Sequence, residues 1–513
     1  MRSIMFRSIV ALWMVYSFVA GATTLFATLP ANAPKPAALY AHHCASCHGT
    51  DRLGGTGPAL IPQSLRRLKR DHAIAVVTKG RPATQMPAFE AVLDADQIES
   101  LVGYMYRPLF GVPKWGEREI ARSRIVHQPA PLPAKPVFDA DLMNLFIVVE
   151  TGDHHATLLD GDTFTPIHRF PTRFALHGGP KYTRDGRFVF FASRDGWISK
   201  YDIYNLKMVA EVRAGINTRN AAVSPDGRFV AVGNYLPHNV VILSGEDLRP
   251  LRVVPATGFD GRSSRVSAVY TAPPRDSFIV ALKDIPEVWE IPYRGDDIAR
   301  VDVRRIAVEH CLDDFFFDQK YRHLMGATRP DPEAAEAPGG QVVDLDRGAV
   351  VASLDLAGMP HLGSGIKWDW KGRRILATPN LKTGKVSFID MDTWKTTAEL
   401  ETLGPGFFMR SHRASRYAWV DVFFGPHRDK VHVIDKQTLT IAKTLQPEPG
   451  KTAAHVEFTK DGKYALLSVW DLDGAVIVYD AETLREVKRL PMKKPSGKYN
   501  VFNKTRFEEG TSH

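Results

Sequence analysis

The sequence predicts two folded domains, a small all-α domain followed by an all-β propeller of eight blades. Three observations indicate this organisation. A Cys-x-x-Cys-His motif lies at residues 44–48 in a short helical region. A proline-rich stretch then separates this region from the rest of the chain. The rest repeats a strand-and-turn unit about every 45 residues, which is the length of one four-stranded propeller blade.

Length and composition agree with a globular protein of more than one domain. The chain has 513 residues, too many for one typical domain. Hydrophobic residues make up 44% and charged residues 24%, as in ordinary globular proteins. The net charge of +9 is spread along the chain rather than gathered in runs. The sequence therefore predicts no nucleic-acid binding, and its surface suits an anionic small molecule or an acidic partner.

The first 27 residues have the features of an export signal. Arg2 and Arg7 precede an uncharged apolar run, and small residues follow it. A retained membrane anchor is the alternative, but Gly21 and Thr23 interrupt a run that is near the lower limit for spanning, roughly 17 residues. We therefore expect a signal peptide at residues 1–27, export to the periplasm and no stable membrane insertion.

The motif at residues 44–48 indicates covalent haem. Cys44 and Cys47 have the spacing at which two thiols add to the two vinyl groups of one porphyrin, and the adjacent His48 then ligates the iron. A zinc site is the alternative, but it needs two more ligands, and the remaining cysteine, Cys311, is far away in the chain. We therefore predict covalent haem c, with Cys311 as a buried structural thiol.

The helical region is predicted from about residue 36 to residue 108. Residues 94–106 carry apolar side chains at a 3.6-residue period and predict a closing amphipathic helix. Met86 lies between two helical segments and offers a thioether. The region resembles a class I cytochrome c domain, which implies His48 and Met86 as axial ligands of the haem c iron, a pair suited to electron transfer. Three histidines are the alternatives to Met86: His42, His43 and His72.

Residues 109–137 are rich in proline and are predicted to form an extended, semi-rigid linker. Trp115–Glu119 within this linker is a candidate docking segment. Residues 138–513 are predicted to form the propeller, in which Asp390, Asp435 and Asp480 end equivalent strands. The units begin near residues 141, 180, 221, 266, 312, 366, 407 and 453. Residues 497–502 are expected to complete the first blade, and the site is expected in loops at one end of the central channel.

Five segments of the propeller carry the motifs of one family: Arg173–His177, Gly215–Arg219, Gly233–Pro237, Met359–Gly363 and Pro495–Val501. On these motifs, the whole mature chain resembles the cytochrome cd1 nitrite reductase family, including its relatives in haem d1 biosynthesis. The resemblance implies that the propeller binds a tetrapyrrole, haem d1 or dihydro-haem d1.

The resemblance also implies roles for individual residues. His177 matches a ligand of the haem d1 iron, and His361 matches a distal histidine of the reductase. Arg219 matches an arginine that faces the haem d1 carboxylates, and Tyr235 lies in an aromatic segment beside them. Asp313 and Asp314 are interpreted as turn residues.

Two departures from the reductase pattern favour a different branch of the family. Leu312 lies where the reductase has its second distal histidine, and His310 is two residues earlier. His455 lies in the last blade, where it could reach the iron from the other side. This pattern is similar to the dihydro-haem d1 dehydrogenase branch.

The resemblance therefore implies an oxidoreductase that converts a propionate of dihydro-haem d1 to the acrylate of haem d1. Electrons would pass through haem c to a periplasmic acceptor, and the product would go to a cytochrome cd1 nitrite reductase. His177 and His455 are the expected iron ligands, and His361 is the expected base, with Tyr499 as second choice. Two alternatives stay open: a nitrite reductase that retains haem d1, and a non-catalytic haem d1 carrier.

Overall fold

The structure is a computed structural model that describes residues 35–55, 57–66, 68–80, 86–111, 114–295, 297–328 and 339–506. The expected signal peptide at residues 1–27 lies outside these ranges. Within the described residues, no helix has both the length and the apolar character needed to cross a bilayer.

Short helices surround the Cys-x-x-Cys-His motif in the N-terminal domain. They are α1 (Pro36–His43), α2 (Ala45–His48), α3 (Pro62–Leu65), α4 (Arg70–Lys79) and α5 (Ala95–Met105). A capping box starts α5, because the Asp94 carboxylate accepts from the Gln97 N–H at 2.8 Å and the Gln97 side chain accepts from the Asp94 N–H at 3.0 Å. The apolar face of α5 is buried against α1 and α4. The predicted closing helix is thus confirmed.

The linker is not extended throughout, which corrects the prediction for residues 109–137. It contains a helix, α6 (Glu117–Ser123), and a short strand, β1 (Ile125–Val126). Ile120 on α6 is fully buried against the propeller, and β1 adds a fifth strand to the outer edge of the second blade. Burial of Ile120 and pairing of β1 fix the linker to the propeller. The prolines of the linker, on which the prediction was based, do not indicate this contact.

Eight antiparallel sheets of four propeller strands each form the C-terminal domain. Blade 1 contains β2 (Leu145–Glu150), β3 (His155–Asp160), β4 (Pro166–Pro171) and β33 (Pro495–Asn500). Blade 2 contains β5 (Lys181–Tyr182), β6 (Phe188–Ala192), β7 (Trp197–Asp202) and β8 (Lys207–Arg213). Blade 3 contains β9 (Asn217–Val223), β10 (Phe229–Leu236), β11 (Asn239–Ser244) and β12 (Pro250–Pro255). Blade 4 contains β13 (Val266–Ala272), β14 (Ser277–Leu282), β15 (Glu287–Pro292) and β16 (Arg304–Ala307).

The second half of the propeller repeats this arrangement. Blade 5 contains β17 (Leu312–Phe317), β18 (His323–Thr328), β19 (Gly340–Asp344) and β20 (Ala349–Leu354). Blade 6 contains β21 (Ile366–Trp370), β22 (Arg373–Pro379), β23 (Lys385–Asp390) and β24 (Thr396–Glu401). Blade 7 contains β25 (Met409–Ser411), β26 (Tyr417–Asp421), β27 (Val431–Asp435) and β28 (Thr440–Leu445). Blade 8 contains β29 (Ala453–Phe458), β30 (Tyr464–Val469), β31 (Gly474–Asp480) and β32 (Glu486–Met492).

The ring closes as the sequence predicts. Strand β33 pairs with β2, with Tyr499 opposite Ile147, so the last strand completes the first blade. The short helix α7 (Val501–Thr505) follows at once. The predicted number of blades is therefore confirmed.

The repeated Asp-Gly turn has a local physical cause. In blade 3, the Asp226 carboxylate accepts from the Arg228 N–H at 3.1 Å and from the Ser224 hydroxyl at 2.6 Å. Gly227 has a φ of 72°, which favours glycine. This turn joins the first two strands at one end of the channel, and the first strands begin at the opposite end. The predicted site residues lie at that opposite end.

Candidate functional site

The haem-binding motif places His48 in the state that a metal ligand needs. The ring is buried, and its Nδ1–H donates to the Pro58 carbonyl at 2.7 Å, which leaves Nε2 with a free lone pair. Burial lowers the pKa of His48, so the ring stays neutral. A Cβ on Gly57 would lie 2.7 Å from the His48 ring. Cys44 and Cys47 are both free thiols, so these residues fit a c-type haem.

Met86 is half-buried and packs against the hydrophobic core of the same domain, which also contains Cys44. His42 and His72, two of its alternatives, are exposed. This setting agrees with an inward-facing thioether. Ligation of the iron by Met86 stays a prediction.

The predicted residues of the propeller lie around one end of the channel, but several are in strands rather than in loops. Arg219 and His455 are the third residues of the inner strands β9 and β29, and Tyr235 is near the end of β10. Tyr499 lies in β33. The expectation that the site lies in loops was therefore too narrow, because the ends of the strands reach the same channel entrance.

His177 has the same protonation pattern as His48. Its Nδ1–H donates to the Arg219 carbonyl at 2.7 Å, and its Nε2 accepts from Arg194 at 2.7 Å. The backbone carbonyl thus fixes the tautomer, and Nε2 is the nitrogen with the lone pair. Arg194 must move away before this nitrogen can bind a metal.

Arg219 already forms an ion pair within the protein. Its guanidinium lies 3.2 Å from the buried Asp314 carboxylate, which also accepts from the Tyr270 hydroxyl at 3.0 Å. Burial acts to lower the pKa of Arg219, but Asp314 together with Tyr235, Tyr270 and Asp313 raises this pKa above its ordinary value. Asp314 is the third residue of β17, so its interpretation as a turn residue was wrong. Asp313 is not a turn residue either, because it is the second residue of β17 and pairs with Lys283.

Tyr235 lies beside this ionic cluster. The Lys283 ammonium is 5.2 Å from the centre of the Tyr235 ring. Burial acts to raise the pKa of Tyr235, but Arg219 and Lys283 together lower it. The phenol therefore lies in a strongly cationic environment, which suits the carboxylates of a tetrapyrrole.

His361 repeats the pattern of the other two histidines. Its Nδ1–H donates to the Phe407 carbonyl at 2.5 Å, which leaves the Nε2 lone pair available. Burial lowers the pKa of His361 although Asp314 acts to raise it. A neutral imidazole with a fixed tautomer can accept a proton, as a general base must.

His455 differs from the other three histidines. Within the described residues, its buried Nδ1 has no hydrogen-bond partner. The ring lies between Phe408 and Tyr499, with centroid distances of 4.8 and 5.0 Å. Burial, followed by the charge of Lys498, lowers the pKa of His455 well below its ordinary value. An unpaired neutral ring nitrogen fits a metal ligand better than a structural role.

Tyr499 completes the ring of contacts. A Cβ on Gly179, two residues after His177, would lie 2.8 Å from the Tyr499 ring. Burial raises the pKa of Tyr499 to about 12, so the phenol stays protonated at neutral pH. Tyr499 is therefore better suited to donate a hydrogen bond than to act as the base.

These contacts connect every predicted residue of the propeller site around the channel. The sequence matches the family "Cytochrome D1 heme domain" over residues 140–504. The chain belongs to this family. The N-terminal part matches the family "Cytochrome C oxidase, cbb3-type, subunit III" over residues 31–105. The predicted order of a cytochrome c domain and a cytochrome D1 haem domain is thus confirmed.

Two relatives and one solved structure cover most of the chain. "Dihydro-heme d1 dehydrogenase" of Pseudomonas aeruginosa is 58% identical over 93% of this chain and 95% of its own. "Protein NirF" of the same organism is 29% identical over 69% of this chain and 90% of its own. A structure described as the dihydro-heme d1 dehydrogenase NirN in complex with DHE has a TM-score of 0.88 and 58% identity, and the match covers 92% of this chain and all of that one.

The cytochrome D1 haem domain has no histidine at the start of β17. Leu312 is buried there against Gly326, where the reductase pattern has its second distal histidine. The adjacent Cys311 is half-buried rather than buried, which corrects its expected place in the core.

The sequence analysis did not identify three ionisable residues of the cytochrome D1 haem domain, the half-buried Lys181 and the buried Asp421 and Lys498. Lys181 donates to the Gly178 carbonyl at 3.0 Å, and burial lowers its pKa to about 8. Asp421 is the last residue of β26, and burial raises its pKa to about 7. Lys498 is fully buried beside Tyr499. A charged residue at the end of an apolar strand was the available signal for Asp421, whereas the mostly polar strand β33 gives no such signal for Lys498.

One arginine joins the cytochrome c domain to the cytochrome D1 haem domain. The Arg213 guanidinium donates to the Leu53 carbonyl, in the loop that follows the Cys-x-x-Cys-His motif and is called the haem loop below. It also donates to the Asp195 carbonyl in blade 2 at 2.8 Å. It also lies 4.8 Å from the Trp115 ring, whose N–H donates to the Arg213 carbonyl at 2.8 Å. Trp115 is thus a docking residue, and the apolar contact beside it consists of Ala59, Ile61, Ile216 and Leu236.

A cavity of about 1170 Å³ lies elsewhere, between the linker and the Asp-Gly turns of blades 2 and 3. None of the predicted site residues lines it. It lies at the opposite end of the inner strands from Arg219, and it plays no part in the site described above.

Proposed function

We propose that this protein is a dihydro-haem d1 dehydrogenase that converts a propionate side chain of its tetrapyrrole substrate to an acrylate. The observation that carries the proposal is the 58% identity, over 93% of the chain, to a relative with that activity in its name. The structure named as the complex of NirN with DHE supports a tetrapyrrole in the same propeller. Leu312 in place of a second distal histidine disfavours nitrite reduction, which consumes protons.

The cytochrome c domain provides the site for haem c. We infer that Cys44 and Cys47 attach it covalently and that His48 and Met86 are its axial ligands. When bound, haem c accepts one electron at a time and passes it to an outside acceptor. The protein's own contribution is to fix the His48 tautomer and to hold the haem loop against the propeller through Arg213.

We infer that the propeller binds the substrate between two histidines. His177 and His455 are the proposed iron ligands, the first because its Nε2 has a fixed lone pair and the second because its buried Nδ1 is unpaired. Arg219 and Tyr235 are proposed to contact the carboxylates. Arg219 Nη2 stays with Asp314, and Nη1, which lies 3.2 Å from the His177 ring, is the nitrogen proposed to turn to a carboxylate.

The reaction removes two protons and two electrons from adjacent carbons: R–CH2–CH2–COO⁻ becomes R–CH=CH–COO⁻ + 2 H⁺ + 2 e⁻. We propose that Nε2 of His361 takes one proton, because the Phe407 carbonyl holds the other ring nitrogen protonated. Tyr499 is second choice as base, since its pKa of about 12 keeps the phenol protonated. The second proton goes to solvent, and haem c, when bound, would accept the two electrons one at a time and pass each to the outside acceptor.

The proposal includes a place in the cell and a partner. A signal peptide at residues 1–27 directs the chain to the periplasm, where covalent haem c is expected. A periplasmic one-electron carrier would take the electrons, and a cytochrome cd1 nitrite reductase would take the product.

The test is to mix the oxidised protein with dihydro-haem d1 without oxygen. The substrate spectrum should change to that of haem d1, and the c-type haem should become reduced. H361A should abolish this change and keep the haem c spectrum, whereas the control H168A, on the outer strand β4, should behave as wild type. Tight binding without conversion by the wild type would indicate a carrier. Haem d1 retained during purification, together with nitrite reduction, would indicate a reductase.

A further inference from the structure

His455 has a backbone conformation that a histidine rarely adopts inside a strand. Its φ is +56°, in the left-handed region, and the pairing of β29 with β30 shifts register at this residue. A non-glycine residue in this region is strained and persists only where its surroundings hold it there. The structure therefore needs a specific means of holding His455.

Two buried ionisable side chains, Asp421 and Lys498, hold the His455 backbone from both sides. The Asp421 Oδ2 accepts from the His455 N–H at 3.4 Å. The Lys498 ammonium donates to the His455 carbonyl, and to the Ser468 hydroxyl at 2.9 Å. Both peptide groups of the strained residue are thus fixed, the N–H by a buried carboxyl group and the carbonyl by a buried amine.

The other oxygen of Asp421 reaches the second histidine. Asp421 Oδ1 accepts from the N–H groups of Phe407 and Phe408 at 2.7 and 3.1 Å. The Phe407 carbonyl accepts from His361 Nδ1 at 2.5 Å. One carboxylate therefore supports both His455 and His361.

We propose that Asp421 and Lys498 are positioning residues that fix His361 and His455 relative to each other on the substrate. This inference rests on the proposed dehydrogenase. Burial of two ionisable side chains costs more than burial of an apolar pair of similar size, so stability alone does not explain them. A carboxylate offers two oxygens, and three backbone N–H groups converge on these two.

The variant D421N separates this role from folding. Asparagine has one oxygen and one NH₂ group, so it loses either the His455 arm or the Phe407 arm while keeping the volume. We expect kcat to fall at least tenfold and the dissociation constant for dihydro-haem d1 to stay within threefold. D390N is the matched control, because Asp390 is also buried and accepts two backbone N–H groups, at a blade 6 turn. Its kcat should stay within twofold of wild type.

A second readout does not depend on turnover. The electron paramagnetic resonance spectrum of bound ferric haem d1 reports the axial ligands, and D421N should change it whereas D390N should not. If the wild type converts no substrate, the proposed function fails, but this spectrum still tests whether Asp421 and Lys498 position the two histidines. If D421N does not fold, S468A releases one contact of Lys498 and should lower kcat two- to fivefold or change the same spectrum. Wild-type kcat and spectrum in the folded variant, or a loss of kcat explained by weaker binding, would overturn the proposal.

Discussion

Replacing Arg213 with methionine should uncouple the two domains without unfolding either. The substitution removes two hydrogen bonds from a charged donor, to Leu53 and Asp195, at about 1.5–3 kcal/mol each, and a cation–π contact with Trp115 of about 0.5–2 kcal/mol. Only the Leu53 contact reaches the cytochrome c domain, because Trp115 belongs to the linker, so docking should weaken by roughly 1.5–3 kcal/mol. The Met side chain keeps most of the buried apolar stem.

The linker should stay in place in R213M, because its bonds go to the backbone. The Trp115 N–H donates to the Arg213 carbonyl at 2.8 Å, and the Ser123 hydroxyl accepts from the Arg213 N–H at 2.9 Å. The effect should therefore fall on the haem loop.

Stopped-flow spectroscopy of the oxidised protein with dihydro-haem d1 measures this effect. We expect the c-type haem to be reduced at least tenfold more slowly than in wild type, with substrate affinity within twofold. R249M is the control, since the exposed Arg249 pairs only loosely with Asp247 at 3.8 Å. Reduction within twofold of the wild-type rate by folded R213M would refute the docking argument.

Three further predictions test separate parts of the structure. G57A should displace the His48 ring, since the new Cβ would lie 2.7 Å from it, and the visible spectrum of the c-type haem should show the lost ligation. D314N leaves Arg219 without its counter-charge, so the free energy of unfolding in urea should fall by about 3 kcal/mol. The same variant should bind dihydro-haem d1 at least threefold more tightly in a titration, because Arg219 is then available to the carboxylate. Weaker binding would contradict a contact between Arg219 and a carboxylate of the substrate. The midpoint temperature of thermal unfolding should decrease as the pH is lowered from 7.5 to 5. Burial lowers the pKa of His432 to about 4, so over this range the unfolded chain binds protons that the folded chain does not. Four other histidines whose pKa is lowered by the loss of hydration act in the same direction: His48, His238, His361 and His455. Asp421, with a pKa of about 7, acts in the opposite direction to these five histidines. A midpoint at pH 5 that equals or exceeds the midpoint at pH 7.5 would contradict the prediction.

The sequence predicts most of the fold because the fold repeats. Each blade carries the same turn chemistry, such as the Asp226–Gly227 turn with its side-chain acceptor and positive φ, so a short motif reports a whole blade. The linker was different. Its docking depends on where Ile120 and Trp115 are buried, and no local pattern specifies that surface.

The candidate site was only partly predictable for the same reason. Motifs identified His177 and His361, but the tautomer of each depends on a carbonyl 42 or 46 residues away. Asp314 follows another aspartate, which reads as a turn, yet it lies in a strand because the three phenylalanines after it are buried. Contacts between distant blades decide these features, and a linear pattern does not contain them.

The closure of the propeller has a consequence for the order of biogenesis. Strand β33 both seals blade 1 and brings Lys498 and Tyr499 to the channel entrance. A chain that lacks this strand would have an open ring and would also lack the Lys498 amine that binds the His455 carbonyl. On the proposed function, binding of the tetrapyrrole would therefore require the complete polypeptide, and a truncated molecule would leave the precursor free.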